Sequence, residues 1–250
     1  MGREMPYRVV LPAKYDEKKD VRYPVLYLLH GLTGNNTNWI ERTKLTEYLS
    51  DTGLIVVTPE GENGWYTDSA NDANGKYESY IVSELIPEVD QKFRTIAERK
   101  GRAIAGLSMG GYGAIKFGLK YPEMFVLAGS FSGALGATGW PETGPGSAGL
   151  ASIRAVFGPQ DSETRKANDI FRMIREMEPE KAEGLPFLYI DCGTEDILFQ
   201  NNRDFVDLLV QKKIRHEYRH LPGGHTWLYW DKQIKPFLGI TVSLLHGPTS

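Results

Sequence analysis

With 250 residues, 41% of them hydrophobic and 24% charged, the chain is long enough to bury a core and too apolar to be disordered. Lysine and arginine (29) nearly balance aspartate and glutamate (32), and the formal charge of −3 argues against a nucleic-acid or membrane-surface binder. The single cysteine, Cys192, rules out an intramolecular disulfide and a cysteine-rich zinc site, and no apolar run approaches the ~20 residues of a membrane span.

The first residues, Met1 to Val10, carry Arg3, Glu4 and Arg8 and do not read as a secretory signal. Together with the lone cysteine this favours the cytoplasm, or secretion if a signal has been removed ahead of the chain. Tyr7–Leu11 and Val25–Leu29 read as strands, and Asn38–Leu49 reads as a helix. Leu54–Thr58 is the next strand. In Tyr77–Phe93 the residues Tyr77, Ile81, Leu85 and Val89 recur at four-residue steps, the stripe of an amphipathic helix that Pro87 is expected to break or kink. Strand Arg102–Leu107, helix Met109–Lys120 and strand Phe125–Phe131 follow. The Gly/Pro-rich stretch Gly133–Gly149 reads as a surface excursion, and the chain as one domain over 1–250 with a lid-like excursion at 133–178. Helix Asn168–Glu178, strand Phe187–Asp191, helix Asn201–Lys213, strand His216–Leu221 and helix Thr226–Phe237 complete the chain, with a frayed tail from His246 to Ser250. Several strands are nearly all apolar, as strands covered on both faces must be. The alternation predicts an α/β fold, a mostly parallel sheet with helices on both faces.

In such sheets ligands gather outside the carboxyl ends of the strands, so the residues following each strand matter most. After Arg102–Leu107 comes Gly106-Leu107-Ser108-Met109-Gly110, a G-x-S-x-G pattern between an apolar strand and a helix rich in small residues. One reading is a nucleophile held on a sharp turn with its hydroxyl exposed. The other is a helix-capping serine, and the local pattern weighs the two equally. A nucleophilic serine needs a base. Of the five histidines, His225 lies in the loop Pro222-Gly223-Gly224-His225 just past the last strand, whereas His216 and His220 fall within that strand, His30 reads as a loop anchor and His246 lies in the tail. An acid must fix the imidazole. Asp196, five residues beyond Phe187–Asp191, is the preferred candidate, with Glu195 as fallback and Asp191 as a further rival. The order Ser108, Asp196, His225 is that of α/β-hydrolases. Backbone amides of Met109 and of Leu32, in the loop His30-Gly31-Leu32-Thr33-Gly34, are placed to hold an oxyanion, although this loop also reads as a plain glycine turn. Trp65, Tyr66, Asp68 and Trp227 are candidates for a substrate pocket, with ordinary packing as the alternative for each.

Four segments in order, Leu28-Leu29-His30-Gly31-Leu32-Thr33-Gly34, Gly106-Leu107-Ser108-Met109-Gly110-Gly111, Asp191-Cys192-Gly193-Thr194-Glu195-Asp196 and Gly223-Gly224-His225-Thr226-Trp227, resemble the esterase D-like α/β-hydrolases. The likeness is greatest to the tributyrin esterase and feruloyl esterase branch of carbohydrate esterase family 1, and it spans Tyr7 to about Leu238. It implies a serine carboxylesterase without cofactor or metal, with Ser108, Asp196 and His225 as the triad and Leu32 and Met109 in the oxyanion hole. Its substrates would be small esters or acylated carbohydrates with short-chain or hydroxycinnamoyl acyl groups, and a homo-oligomer is compatible with it. Alternatives on the same triad are acyl transfer, as in the related mycolyltransferases, or thioester cleavage of the S-formylglutathione hydrolase type; a non-catalytic binding module is a third. The S-formylglutathione hydrolases usually carry a cysteine and a histidine where this chain has Gly34 and Tyr112. The family also tends to have a strand ahead of Tyr7–Leu11, where only six residues stand here.

Overall fold

The computed structural model describes residues 1–141 and 147–246. Seven strands form one sheet: β1 (Tyr7–Val10), β2 (Val25–Leu29), β3 (Ile55–Pro59), β4 (Arg102–Leu107), β5 (Leu127–Phe131), β6 (Phe187–Asp191) and β7 (His216–Arg219). The spatial order is β1-β3-β2-β4-β5-β6-β7, with β1 antiparallel to β3 and every other pair parallel. Strands β2 to β5 are buried at every position, because helices cover both faces, while the edge strands β1 and β7 are only half-buried. Side-chain alternation splits the core in two: Tyr27 and Ile104 face one layer, and Leu26, Leu28, Ala103 and Ala105 face the other.

The helices are α1 (Asn38–Glu41), α2 (Leu45–Tyr48), α3 (Tyr77–Ser79), α4 (Ile86–Lys92), α5 (Met109–Lys120), α6 (Ser147–Phe157), α7 (Glu163–Ala167), α8 (Ile170–Arg175), α9 (Pro179–Glu183), α10 (Phe199–Gln211) and α11 (Trp227–His246). The single helix expected over Asn38–Leu49 is two short ones. Thr43 Oγ1 donates to the Trp39 carbonyl (2.5 Å) and accepts from Leu45 N–H (3.1 Å), diverting backbone groups that would have continued the helix. Pro87 does not break the helix around it. A π turn, Tyr80–Leu85, joins α3 to α4, and Ile86 N–H reaches back five residues to Ile81, widening the backbone just ahead of the ring. Likewise α11 runs through Pro236 to His246, beyond the expected end at Phe237, because Leu238, Thr241 and Leu245 continue its buried face. The helix expected over Asn168–Glu178 is the shorter α8, started by the Asp169 side chain, which accepts from Arg172 N–H at 3.1 Å. Of the excursion at 133–178, residues 142–146 lie outside the described ones, as does the tail from 247 onward.

Strand ends set the stage for the site. The register pairs Leu29 with Gly106, Leu107 with Phe131, Phe131 with Asp191 and Asp191 with Arg219. The loops leaving β2, β4, β5, β6 and β7 therefore emerge side by side along one edge.

Candidate active site

Between β4 and α5 the chain reverses at Ser108, whose φ of 53° and ψ of −117° lie where non-glycine residues seldom stand. The reversal is so tight that only glycine fits beside it. A Cβ on Gly106 would lie 2.5 Å from the Gly110 carbonyl group, and one on Gly110 would lie 2.5 Å from the His30 carbonyl oxygen. Two hydrogen bonds hold the turn, from Ser108 N–H to Phe131 O (2.9 Å) and from Ala134 N–H to Ser108 O (3.0 Å). The Ser108 hydroxyl does not cap α5. Its Oγ lies instead 3.1 Å from His225 Nε2.

His225 Nδ1 sits 2.9 Å from Asp196 Oδ2 and 3.1 Å from Oδ1. A carboxylate can only accept, so Nδ1 carries the proton and Nε2 is left to accept from the serine. Burial works to raise the Asp196 carboxyl, but hydrogen bonds from His225, Leu198 N–H (2.8 Å) and Ser132 outweigh it and hold the group below the usual carboxylate range. The loops bearing Asp196 and His225 are themselves joined. Thr194 N–H donates to Leu221 O and Glu195 N–H to Gly223 O, each at 3.0 Å, prolonging the β6–β7 pairing past the strand ends. A Cβ on Gly193 would stand 2.0 Å from Gly223 O, so the contact admits no larger residue. The Trp230 ring then meets His225 edge to face, centroids 4.9 Å apart.

Next to the serine, a Cβ on Gly31 would lie 3.3 Å from Ser108 Cβ, so the loop after β2 runs directly beside the hydroxyl. Leu32 follows, and its N–H donates to no other described residue. Met109 is the first residue of α5 and its N–H has no partner within the helix. A cavity of about 200 Å³ opens here, lined by Leu32, Arg42, Ser108, His225, Trp227 and Trp230 among others.

A family model described as "Putative esterase" matches residues 1–239. The chain belongs to this esterase family. An acetyl esterase of Caldicellulosiruptor saccharolyticus is 33% identical over 235 residues, covering 90% of this chain and 88% of the relative. The fluorophosphonate-binding serine hydrolase F of Staphylococcus aureus superposes with a TM-score of 0.82 at 30% identity, over 94% of this chain and 91% of that one. A ferulic acid esterase superposes with a TM-score of 0.80 at 27% identity, over 96% and 92%. The protein is thus a carboxylic-ester hydrolase of the α/β-hydrolase fold, in line with the resemblance of its four motifs.

Not every candidate residue of this esterase reaches the cavity. Trp227 does; Trp65, Tyr66 and Asp68 do not. Trp65 is buried, donates from Nε1 to Ser152 Oγ (2.9 Å) and packs on Tyr112 and Phe157. Tyr66 is fully buried against Gly113 of α5, and its hydroxyl donates to the His30 carbonyl at 3.1 Å. Asp68 is occupied by Ser79, accepting from its N–H (2.9 Å) and its hydroxyl (2.5 Å). The 65–68 segment turns inward because the small face of α5 leaves room for it. Lys116, buried halfway along α5, fastens the segment by donating to Tyr66 O (2.5 Å), Thr67 Oγ1 (2.8 Å) and Glu78 Oε2 (2.7 Å).

The rival acids are also placed. Glu195 is exposed, and Asp191 is sealed at the end of β6, accepting from the hydroxyls of Tyr229 (2.6 Å) and Tyr189 (3.1 Å). His30 anchors its loop, with Nε2 accepting from Gly61 N–H (2.9 Å) and Nδ1 donating to Gly31 O (2.7 Å). Sequence reasoning missed Ser132, Trp230 and Arg42. Ser132 follows β5, accepts from Trp230 Nε1 (3.1 Å) and supports the Asp196 carboxylate. Its position after a strand between those of Ser108 and Asp196 was the available signal. Among the described residues no cluster of His, Cys, Asp and Glu could hold a metal ion, and no helix is long and apolar enough to cross a membrane.

Proposed function

We propose that this esterase hydrolyses short-chain acyl or hydroxycinnamoyl esters, small or carbohydrate-linked, through an acyl-serine at Ser108. The observation that carries the proposal is the unbroken line from Ser108 Oγ through His225 to Asp196, at the mouth of a cavity and with the hydroxyl free of any capping role. His225 Nε2 takes the hydroxyl proton as Oγ attacks the ester carbonyl. Asp196, held ionised, stabilises the imidazolium that forms. The amides of Leu32 and Met109 receive the oxyanion, and His225 returns its proton to the leaving alcohol. Water, deprotonated by the same imidazole, then releases the acid from the serine.

The cavity of about 200 Å³ is smaller than the ~300–1,000 Å³ of drug-sized ligand sites, which favours a compact group beside the serine. The names of the relatives, an acetyl esterase and a ferulic acid esterase, support the two acyl classes. The test is Ser108→Ala, which should abolish turnover of p-nitrophenyl acetate and labelling by a fluorophosphonate while leaving the circular dichroism spectrum native. Near-normal turnover in that variant would refute the assignment.

A further inference from the structure

Among its described lining residues, the cavity beside Ser108 carries one permanent charge, and no described carboxylate pairs with it. Arg42 follows α1 at the cavity wall, with its guanidinium carbon 5.8 Å from the centroid of the Trp227 ring. Trp227 is fixed edge to face against Trp39 (5.6 Å) and Trp230 (5.2 Å), and Trp230 in turn meets His225. A run of rings therefore leads from the imidazole to the guanidinium. No described carboxylate forms an ion pair with Arg42, and its side chain makes no hydrogen bond to a described residue.

Glu41, next along the chain, and Asp231, which holds the following loop at Lys44, have partners of their own. Glu41 accepts from the Thr37 hydroxyl at 2.7 Å. Asp231 accepts from Lys44 N–H at 2.7 Å and from the Tyr48 hydroxyl at 3.3 Å. No acidic side chain lines the cavity among the described residues. In a chain whose net charge is −3, this leaves a locally positive wall beside the serine. A guanidinium held over an aromatic ring and paired with no described acid keeps its planar N–H fork available to grip a carboxylate with two parallel bonds.

We infer that Arg42 is a specificity-determining residue that selects esters carrying a free carboxylate near the scissile bond. The inference rests on the esterase reading of Ser108 and deepens it, naming the charge class of the substrate. Because the guanidinium pairs with the substrate in the ground state and the transition state alike, its contribution falls mainly in KM.

The experiment compares two matched pairs, 4-acetoxybenzoate with its methyl ester, and monoethyl with diethyl succinate. The first pair places the carboxylate on the leaving group and the second on the acyl group. For wild type, Arg42→Gln and Arg42→Lys, the readout is the ratio of kcat/KM for the anionic ester to that for the neutral one. In at least one pair Arg42→Gln should lower this ratio about threefold to fivefold, chiefly through KM, as for loss of one charge-assisted pair at an exposed site. Arg42→Lys should restore part of it, and high salt should reduce the wild-type ratio. The pair that responds identifies the side of the substrate that Arg42 reads. A ratio unchanged by Arg42→Gln in both pairs, with the wild type cleaving the neutral esters, overturns the role of Arg42 and leaves the esterase reading standing. Failure of the wild type on all four esters and on p-nitrophenyl acetate overturns the reading beneath it.

Discussion

Replacing Asp191 by asparagine should change how stability depends on pH. Asp191 ends β6 with no exposed surface, and both of its oxygens accept from tyrosine hydroxyls. Burial pushes its carboxyl up from 3.8 to about 6, and the hydrogen bonds from Tyr229 and Tyr189 and the charge of Arg219 offset only part of that. The folded protein therefore holds this proton more tightly than the unfolded chain does. The stability that follows is fully present below about pH 4 and is lost as pH rises through about 6. A shift of about two units corresponds to about 3 kcal/mol at 1.36 kcal/mol per unit. Asparagine keeps the shape but not the titration. It also leaves one tyrosine hydroxyl less well paired, a cost that does not vary with pH, so the quantity to follow is how the difference changes. Asp196 is shifted the opposite way, contributing stability that is lost as pH falls, and subtracting the variant from the wild type removes that background. Urea unfolding of both proteins at intervals from pH 4 to pH 8 gives the two curves. Relative to the variant, the wild type should lose about 2–3 kcal/mol between pH 4 and pH 7. A difference flat across that range would refute the reasoning.

Asp196→Asn should leave the fold intact and lower kcat for p-nitrophenyl acetate by about 10³–10⁴, because an amide stabilises the wrong imidazole tautomer; a loss under about tenfold would remove Asp196 from the proposed triad. Gly193→Ala places a methyl 2.0 Å from Gly223 O and should push the two loops apart. Thermal melting should show a loss of about 1–3 kcal/mol, and kcat should fall by far more than that loss explains. Retained activity with unchanged stability would mean the loops do not depend on that contact.

The strands were legible because burial on both faces leaves little choice of residue: β2, β4 and β6 fall where the apolar runs predict, and the others within about two residues. That Ser108, Asp196 and His225 would meet was legible for a different reason. Each follows a strand whose carboxyl end lies on one edge, and β4 to β7 lie side by side in chain order, which brings their loops together. The direction in which a loop side chain points was not legible. Trp65 and Tyr66 do follow β3 at that edge, yet each has a positive φ (52° and 50°) and turns into the core. That outcome depends on the absence of a side chain at Gly113, far along the chain. Arg42 and Trp227 illustrate the same limit, since their contact joins segments 185 positions apart in sequence. Thr43 and Pro87 were local signals, but whether such a residue ends a helix or is absorbed by it depends on the packing around it.

The Tyr66 contacts have a consequence for the energetics of the proposed reaction. Its hydroxyl holds the carbonyl of His30, where the loop bearing Leu32 begins, and its own carbonyl is held by Lys116 of the helix that Ser108 begins. The loop with one proposed oxyanion donor and the helix with the other are thus tied through a buried tyrosine and lysine. Dipoles fixed in this way during folding need not reorient when charge develops on the substrate. Water around the same ester in solution must reorient, and the difference in reorganisation energy is what such a site supplies to catalysis. On the proposed mechanism, part of the catalytic rate of this esterase would be set by residues that never meet the substrate.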